Sequence, residues 1–199
     1  DKTNQKRNSH DKRLSYLLRH SGIKEGLTIK NNGFVTVDEV LLKLLHGYTI
    51  DDIERVVKTN NKQRFTLQRN NGVLEIKANQ GHTISLVNNL SLKVLNSIEC
   101  DIIHGTYIKH WNKIKTEGLS RMQRNHIHFA KGLNFICGLR QSAEIFIYID
   151  FEKAMTDGLI FYESENGVIL CCGDVNGFIK PKYFLKVLSK TFMKIKVNV

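Results

Sequence analysis

Residues 64 to 78, "RFTLQRNNGVLEIKA", leave the chain little choice of structure. Two short runs flank an Asn-Gly pair, and the second alternates apolar and polar residues. This pattern predicts an antiparallel hairpin, because both central residues of the tight turn need a positive φ. The second run then stops. Lys77 is followed by "ANQGH", so two amides, a glycine and an imidazole stand where further strand residues would be expected.

Upstream, Leu14, Leu17 and Leu18 recur at helical spacing and lead to Arg19 and His20, just before a Ser-Gly break. The expectation is a short helix with two cationic side chains at its end, where they complement the helix dipole. "NGFVTVDEVLLKLL" supplies a turn at Asn32-Gly33, a capping box from Thr36 and Glu39, and a core stripe of Val40, Leu41 and Leu44. A further helix is predicted from about Ile50 to Lys58, with Ile53, Val56 and Val57 facing inward. Helices followed by a hairpin, with Lys58, Lys62, Arg64 and Arg69 around the junction, suggest a winged-helix-like module with a basic wing. The alternative is a small helical domain with an incidental hairpin.

The connection to a second half falls near residues 84 to 100. That half alternates short strands and turns, "DIIHGTY", "HIHFA", "EIFIYID", "GVILCCG" and "GFIKPKYF", around one helix, "IKHWNKIKTEG", which ends on Gly118. The expected fold class is α+β, with a first lobe over residues 1–95 and a mixed, β-rich second lobe over 96–199. With 41% hydrophobic residues, the chain can build a packed core.

No stretch reaches the roughly 18 to 20 apolar residues needed to span a bilayer, and "DKTNQKRNSHDK" has no apolar run that could act as a secretory signal. These features predict an intracellular protein, cytoplasmic or nuclear, expected to act as a monomer without a membrane partner. Cys100, Cys137, Cys171 and Cys172 show no C-x-x-C spacing and are expected to be buried, reduced thiols. The net charge of +11 favours a polyanionic partner, foremost nucleic acid. The excess is divided almost evenly, +6 up to Glu99 and +5 beyond it, which leaves a plain solvated surface as the competing explanation.

In "RNHIHFA" a strand would put Arg124, His126 and His128 on one side and Ile127 and Phe129 on the other. That stripe suits an anion or nucleotide, with satisfied surface histidines as the competing explanation. H-x-H also suits two metal ligands, but zinc needs a third from elsewhere and none has a telling spacing, so no metal is expected. His104, Gly105 and Thr106 close a strand before a helix, where a glycine permits close backbone approach to an anion. Glu163-Ser164-Glu165 is similar to the glutamate pair of toxin-like arginine ADP-ribosyltransferases, although two glutamates before an Asn-Gly turn more often mark a solvated strand end.

Taken in order, "RLSYLLRH", "NGFVTVDEVL", "RVVKTNNKQRF", "IKANQGHTI", "HGTYIKHWNKIKTEGL", "RNHIHFA", "FYESENGVIL" and "GFIKPKYF" resemble the NAD-dependent RNA 2′-phosphotransferase (KptA) family, from about Arg13 to Phe184. The resemblance implies an N-terminal winged-helix-like lobe that engages RNA and a C-terminal lobe with the ADP-ribosyltransferase fold that takes NAD as co-substrate. The implied partner is RNA carrying an internal 2′-phosphate, typically tRNA at a splice junction. The phosphate is passed to NAD through an RNA-phospho-ADP-ribose intermediate, releasing nicotinamide and ADP-ribose 1″,2″-cyclic phosphate. Carried over by motif, the catalytic group is Arg19, His20, Lys77 and Arg124, with side chains of both lobes directed at one phosphate. The family commonly has arginine where this chain has Lys77. The strand would then deliver a cation, and the polar cluster after it would shape a phosphate site.

For NAD the resemblance implies His104, Gly105, Thr106, His126 and His128, followed by Gly138, Arg140, Ser164 and Asn166. Glu163 and Glu165 depart from the family pattern. Two other functions compete: an ADP-ribosyltransferase that modifies nucleic-acid ends or protein, and a winged-helix nucleic-acid-binding protein with a degenerate second lobe.

Overall fold

The computed structural model describes residues 11–44, 47–135 and 137–191. The first ten residues, most of the segment weighed as a secretory signal, lie outside them. The fold is mixed α+β, and the chain divides into two compact units, Asp1–Ser91 and Leu92–Val199.

In the first unit, residues 11–16 are α-helical (α1) and run into a π-helical turn, Leu17–Ser21. Strand β1 (Val35–Thr36) leads into α2 (Val37–Lys43), and α3 (Ile50–Thr59) follows. Strands β2 (Phe65–Asn70) and β3 (Val73–Ala78) form the hairpin, with Asn71 and Gly72 both at positive φ. The three strands make one antiparallel sheet in the order β1-β3-β2. Leu14, Leu17, Leu18, Val40, Ile53 and Ile76 pack into its core, so α1, the π turn and the hairpin are joined by apolar burial.

The caps differ in part from the sequence reading. On α2 the Thr36 hydroxyl accepts from the Glu39 amide, but the Glu39 carboxylate bonds the Thr36 hydroxyl and the Thr28 amide. The Thr36–Glu39 box is therefore only half formed. A reciprocal box is found on α3, between Thr49 and Asp52.

The second unit is built on a seven-stranded sheet. In chain order its elements are β4 (Lys93–Val94), β5 (Ile102–Thr106), α4 (Ile108–Glu117), β6 (Leu119–Ser120), β7 (Ile127–Lys131), β8 (Ile145–Ile149), α5 (Phe151–Thr156), β9 (Phe161–Glu163), β10 (Ile169–Cys171), β11 (Phe178–Ile179), a 3₁₀ turn (Pro181–Tyr183) and β12 (Phe184–Ser189). The sheet order is β12-β8-β5-β7-β10-β9-β4, and β6 pairs separately with β11. Each pair is antiparallel. One face carries Ile102, Ile127, Phe129, Ile147 and Ile169 into a large core that includes Trp111 and Phe161. The other face carries Ile103, Phe146 and Tyr148 beneath Leu139 and Ala143. Gly118 takes φ +100 and caps α4, as its position predicts.

The sequence reading missed α5, and the thiols divide. Cys137 and Cys171 are buried, but Cys100 and Cys172 are exposed, contrary to expectation; none of the four forms a disulfide among the described residues. Among the described residues no helix is long and apolar enough to cross a membrane.

Candidate active site

In the first unit the π turn presents Arg19 and His20. A π turn inserts one residue into the α-helical ladder and re-aims the side chains at its end, a geometry often kept at functional sites. Here the turn is braced from two directions. Arg13, before the turn, and Ser21, within it, both donate to the Glu25 carboxylate, at 3.1 Å and 2.6 Å to Oε1. From the segment after β3, the Thr83 amide donates to the Arg19 carbonyl at 2.9 Å, and the Thr83 hydroxyl lies 3.0 Å from His20 Nδ1. Gly81, at φ +88, lies under the Arg19 side chain: a Cβ there would come within 3.4 Å of Nε and 3.5 Å of Cζ. The "LLRH" and "ANQGHT" motifs, far apart in sequence, meet at this turn.

Lys77, on β3, is 2% exposed and holds its ammonium 4.9 Å from the centre of the Phe34 ring. Strand β3 packs on the π turn. The polar cluster after Lys77 has divided duties. Asn79 closes the hairpin, accepting from the Thr66 hydroxyl at 2.6 Å and donating to the Gln63 carbonyl at 2.7 Å. His82 is 1% exposed beside Gly33. Gln80 is buried, with its Oε1 meeting no donor among the described residues.

In the second unit β7 starts at Ile127, so Arg124 and His126 lie in the bend before it. The single alternating stripe expected from Arg124 to His128 is therefore not a strand face over its whole length; Ile127 and Phe129 do enter the core, and His128 points to the opposite side. The bend is tightly held. Arg124 donates its amide to the Arg121 carbonyl at 3.1 Å, and Arg121 Nη1 donates to the Arg124 carbonyl at 3.0 Å. The Arg121 amide reaches the Gly177 carbonyl at 2.9 Å. The half-buried Arg124 guanidinium has its pKa lowered, first by burial and then by the charge of Arg140. Among the described residues, no carboxylate forms a salt bridge with Arg124 or Arg140. Guanidiniums without a carboxylate partner have the charge and the forked donors that suit an anion.

His104 Nδ1 lies 2.8 Å from the His128 carbonyl and its ring meets Phe129 edge-on. Burial pushes its pKa below the ordinary imidazole value, the His128 carbonyl opposes that, and Arg140 adds to it. His126 is shifted the same way by burial and then Arg121, and its ring stands edge-on to Tyr162. Thr106 is buried at the end of β5 and accepts the Glu144 amide at 2.8 Å.

The glycines have packing reasons of their own. A Cβ on Gly105 would meet Leu139 and Ala143 at 2.8 Å and 2.9 Å, and one on Gly138 would meet the Phe129 carbonyl at 2.6 Å. Ser164 and Asn166 belong to the β9–β10 turn, where the serine hydroxyl bonds Asn166 Oδ1 at 2.7 Å and the Val168 carbonyl at 3.2 Å. Glu163 pairs with Lys131, and Glu165 is exposed.

The first unit thus brings Arg19 and His20 together beside β3, which carries Lys77, and the second brings His104, His128, Arg124 and Arg140 into one neighbourhood. Sequence reasoning missed four residues here. Thr83 and Arg121 act through backbone and ring contacts that no spacing reveals. Phe34 gives the Lys77 ammonium a ring face. Tyr107 directly follows "HGT"; its hydroxyl lies 2.9 Å from Ser142 Oγ, Arg140 lies 5.9 Å from the ring centre, and its phenol pKa is lowered by the Ser142 and then the Arg140 hydrogen bond. Among the described residues no group of three or more His, Cys, Asp and Glu is placed to hold a metal.

Comparison with known proteins adds a separate line of evidence. The sequence pattern of the RNA 2'-phosphotransferase, Tpt1 / KptA family matches residues 5–173. The tRNA 2'-phosphotransferase 1 of Danio rerio is 46% identical over 184 residues, covering 87% of this chain and 81% of the relative. Its Homo sapiens counterpart is 42% identical over 188 residues, covering 89% and 74%. The tRNA 2'-phosphotransferase of Saccharomyces cerevisiae is 37% identical over 175 residues, covering 80% and 76%.

Proposed function

Because the chain belongs to the RNA 2'-phosphotransferase, Tpt1 / KptA family, we propose that it is an enzyme that removes an internal 2′-phosphate from RNA, with tRNA as the substrate class and NAD as the acceptor. The observation that carries the reading is the π turn, which sets a guanidinium and an imidazole side by side next to the strand that carries a buried lysine. Such a constellation suits a dianionic phosphate.

In this reading an oxygen of the RNA 2′-phosphate attacks C1″ of the nicotinamide ribose. The bond from C1″ to nicotinamide breaks, and the pyridinium ring nitrogen takes the electron pair. The ribose 2″-hydroxyl then attacks phosphorus, the bond to the RNA 2′-oxygen breaks, and that oxygen takes up a proton. The products are 2′-hydroxyl RNA and ADP-ribose 1″,2″-cyclic phosphate. By resemblance to the family, Arg19 and Arg124 are each assigned the role of a forked phosphate donor, and preorganised charge of this kind stabilises a pentavalent transition state. Lys77 supplies a point charge in place of a fork. His20 hydrogen-bonds the phosphate and carries the proton in the second step.

For NAD, the assigned residues are His104, Gly105, Thr106, His126, His128, Gly138, Arg140, Ser164 and Asn166. Among the described residues Arg140 forms no salt bridge with a carboxylate, and such a guanidinium suits the negative charge of a pyrophosphate, which supports this assignment; the packing duties of Gly105, Gly138 and Ser164 make their part indirect. The element order of the first unit, helix, strand, two helices and a two-stranded hairpin, supports a winged-helix reading with Lys58, Lys62, Arg64 and Arg69 near the RNA. The antiparallel seven-stranded sheet supports an ADP-ribosyltransferase-like second unit.

The test is nicotinamide release from NAD in the presence of an RNA oligonucleotide with one internal 2′-phosphate. Release should depend on that phosphate. Equal release with the unphosphorylated oligonucleotide overturns the reading.

A further inference from the structure

Resting on the role of His20 in that reading, we propose that Thr83 is a positioning residue that keeps a proton on His20 Nδ1, so that Nε2 is the nitrogen that works on the phosphate.

The geometry lies within one short stretch. The Thr83 amide donates to the Arg19 carbonyl at 2.9 Å, which locks the threonine backbone against the π turn. Its hydroxyl oxygen lies 3.0 Å from His20 Nδ1 and 3.5 Å from the same Arg19 carbonyl. A hydroxyl has one proton to give and two lone pairs. With its proton turned toward the Arg19 carbonyl, the oxygen offers a lone pair to Nδ1.

The chemistry of the substrate selects this arrangement. An imidazole that grips a phosphate dianion must present an N–H to it. In the imidazolium both nitrogens are donors, so Nδ1–H needs an acceptor in the protein, and Thr83 Oγ is in place. When the ring gives up a proton, it comes from Nε2, because the other proton is held. Nε2 then alternates between donor and acceptor without a ring flip or a change of tautomer. A histidine oriented through its second nitrogen by a hydrogen bond is the general device of acid–base catalysis, and Thr83 supplies it here through a neutral hydroxyl.

Removing the hydroxyl leaves Nδ1–H without this acceptor, while valine keeps the shape of threonine and the backbone bond to Arg19. The experiment combines ¹⁵N NMR of the histidine-labelled full chain with kinetics. In the native protein at a pH where His20 is neutral, the expected spectrum shows Nδ1 protonated and Nε2 as the bare nitrogen. In Thr83→Val the ring should shift toward the Nε2–H tautomer, and Thr83→Ser should restore the native pattern. Turnover in Thr83→Val should fall about tenfold or more, as loss of part of an acid–base contribution implies, with KM changed by less than about twofold. Serine should restore the rate.

A native spectrum with Nε2 protonated in the neutral ring, or a tautomer unmoved in Thr83→Val, overturns the proposal whatever the kinetics show. If the tautomer moves as expected while turnover stays native, the positioning of the ring stands and the catalytic role given to His20 fails.

Discussion

The Arg19 side chain lies over Gly81: a Cβ at position 81 would stand in van der Waals contact with it, 3.4 Å from Nε and 3.5 Å from Cδ and Cζ. Gly81 also holds φ +88, which L side chains rarely adopt. Two demands meet at one residue. Gly81→Ala should cost roughly 1–3 kcal/mol of backbone strain, and relief of that strain should shift the backbone that underlies Arg19. Gly72, at φ +81 with open space around it, is the matched control. Gly72→Ala is expected to lower the melting temperature while keeping turnover, and Gly81→Ala to lose turnover beyond its loss of stability. Equal turnover in the two variants would remove Arg19 from the phosphate.

Lys77 offers a cleaner separation of charge from packing. Its stem is buried and its ammonium faces the Phe34 ring at 4.9 Å. Lys77→Met keeps apolar bulk at the site and removes the charge; Lys77→Ala removes both. Both should slow the second step and let RNA-phospho-ADP-ribose accumulate on a gel, with the alanine variant also losing stability. Full turnover in the methionine variant would show that the charge is not used.

Gly177 is a slot for Arg121. It takes φ +78, and a Cβ there would lie 2.6 Å from Arg121 Nε. Gly177→Ala should push Arg121 aside, release the Arg124 carbonyl that Arg121 holds at 3.0 Å, and reduce turnover. Gly132, at φ +89 with nothing within 4 Å, gives the same backbone strain without the collision, and Gly132→Ala should leave the rate near native. Matching rates for the two would detach the Arg121 brace from catalysis.

Acid should loosen the π turn through Glu25. The Arg13 hydrogen bond, then the Ser21 hydroxyl, hold this carboxyl below its usual pKa against the opposing effect of burial. A carboxylate whose pKa is lowered by folding stabilises the protein above the pKa it has when unfolded, and that contribution is lost as pH falls through the lowered value. Glu25→Gln should therefore melt below the native protein at neutral pH, and the two melting curves should converge in acid. A gap that stays constant across the titration contradicts this.

How far the sequence spoke depends on whether a feature is local. The hairpin announced itself through "RNNG", because Asn71 and Gly72 must both take positive φ, and the end of α4 through Gly118. Local chemistry decides such elements. The π turn at Leu17–Ser21 gave no sign, because it is held by Glu25 and by Thr83, which lies 63 residues from His20. Arg124 and His126 were read onto a strand face because the alternation at Ile127 and Phe129 is real. The strand begins only at Ile127, and Arg121 holds the preceding bend by contacts with Gly177 that no spacing shows. The sequence offers Gly105 as a close backbone approach to an anion, and the resemblance carries Gly138 over for NAD, yet their close neighbours are Leu139, Ala143 and the Phe129 carbonyl. In "ANQGH" the first amide has a structural duty that its motif does not show, since Asn79 ties off the hairpin.

The most direct measurement follows the phosphorus atom itself. With an RNA carrying a ³²P-labelled internal 2′-phosphate and excess NAD, the label should leave the RNA and appear in ADP-ribose 1″,2″-cyclic phosphate, one for each nicotinamide released. Label recovered as inorganic phosphate, or retained in an ADP-ribosylated RNA as the final product, contradicts the account.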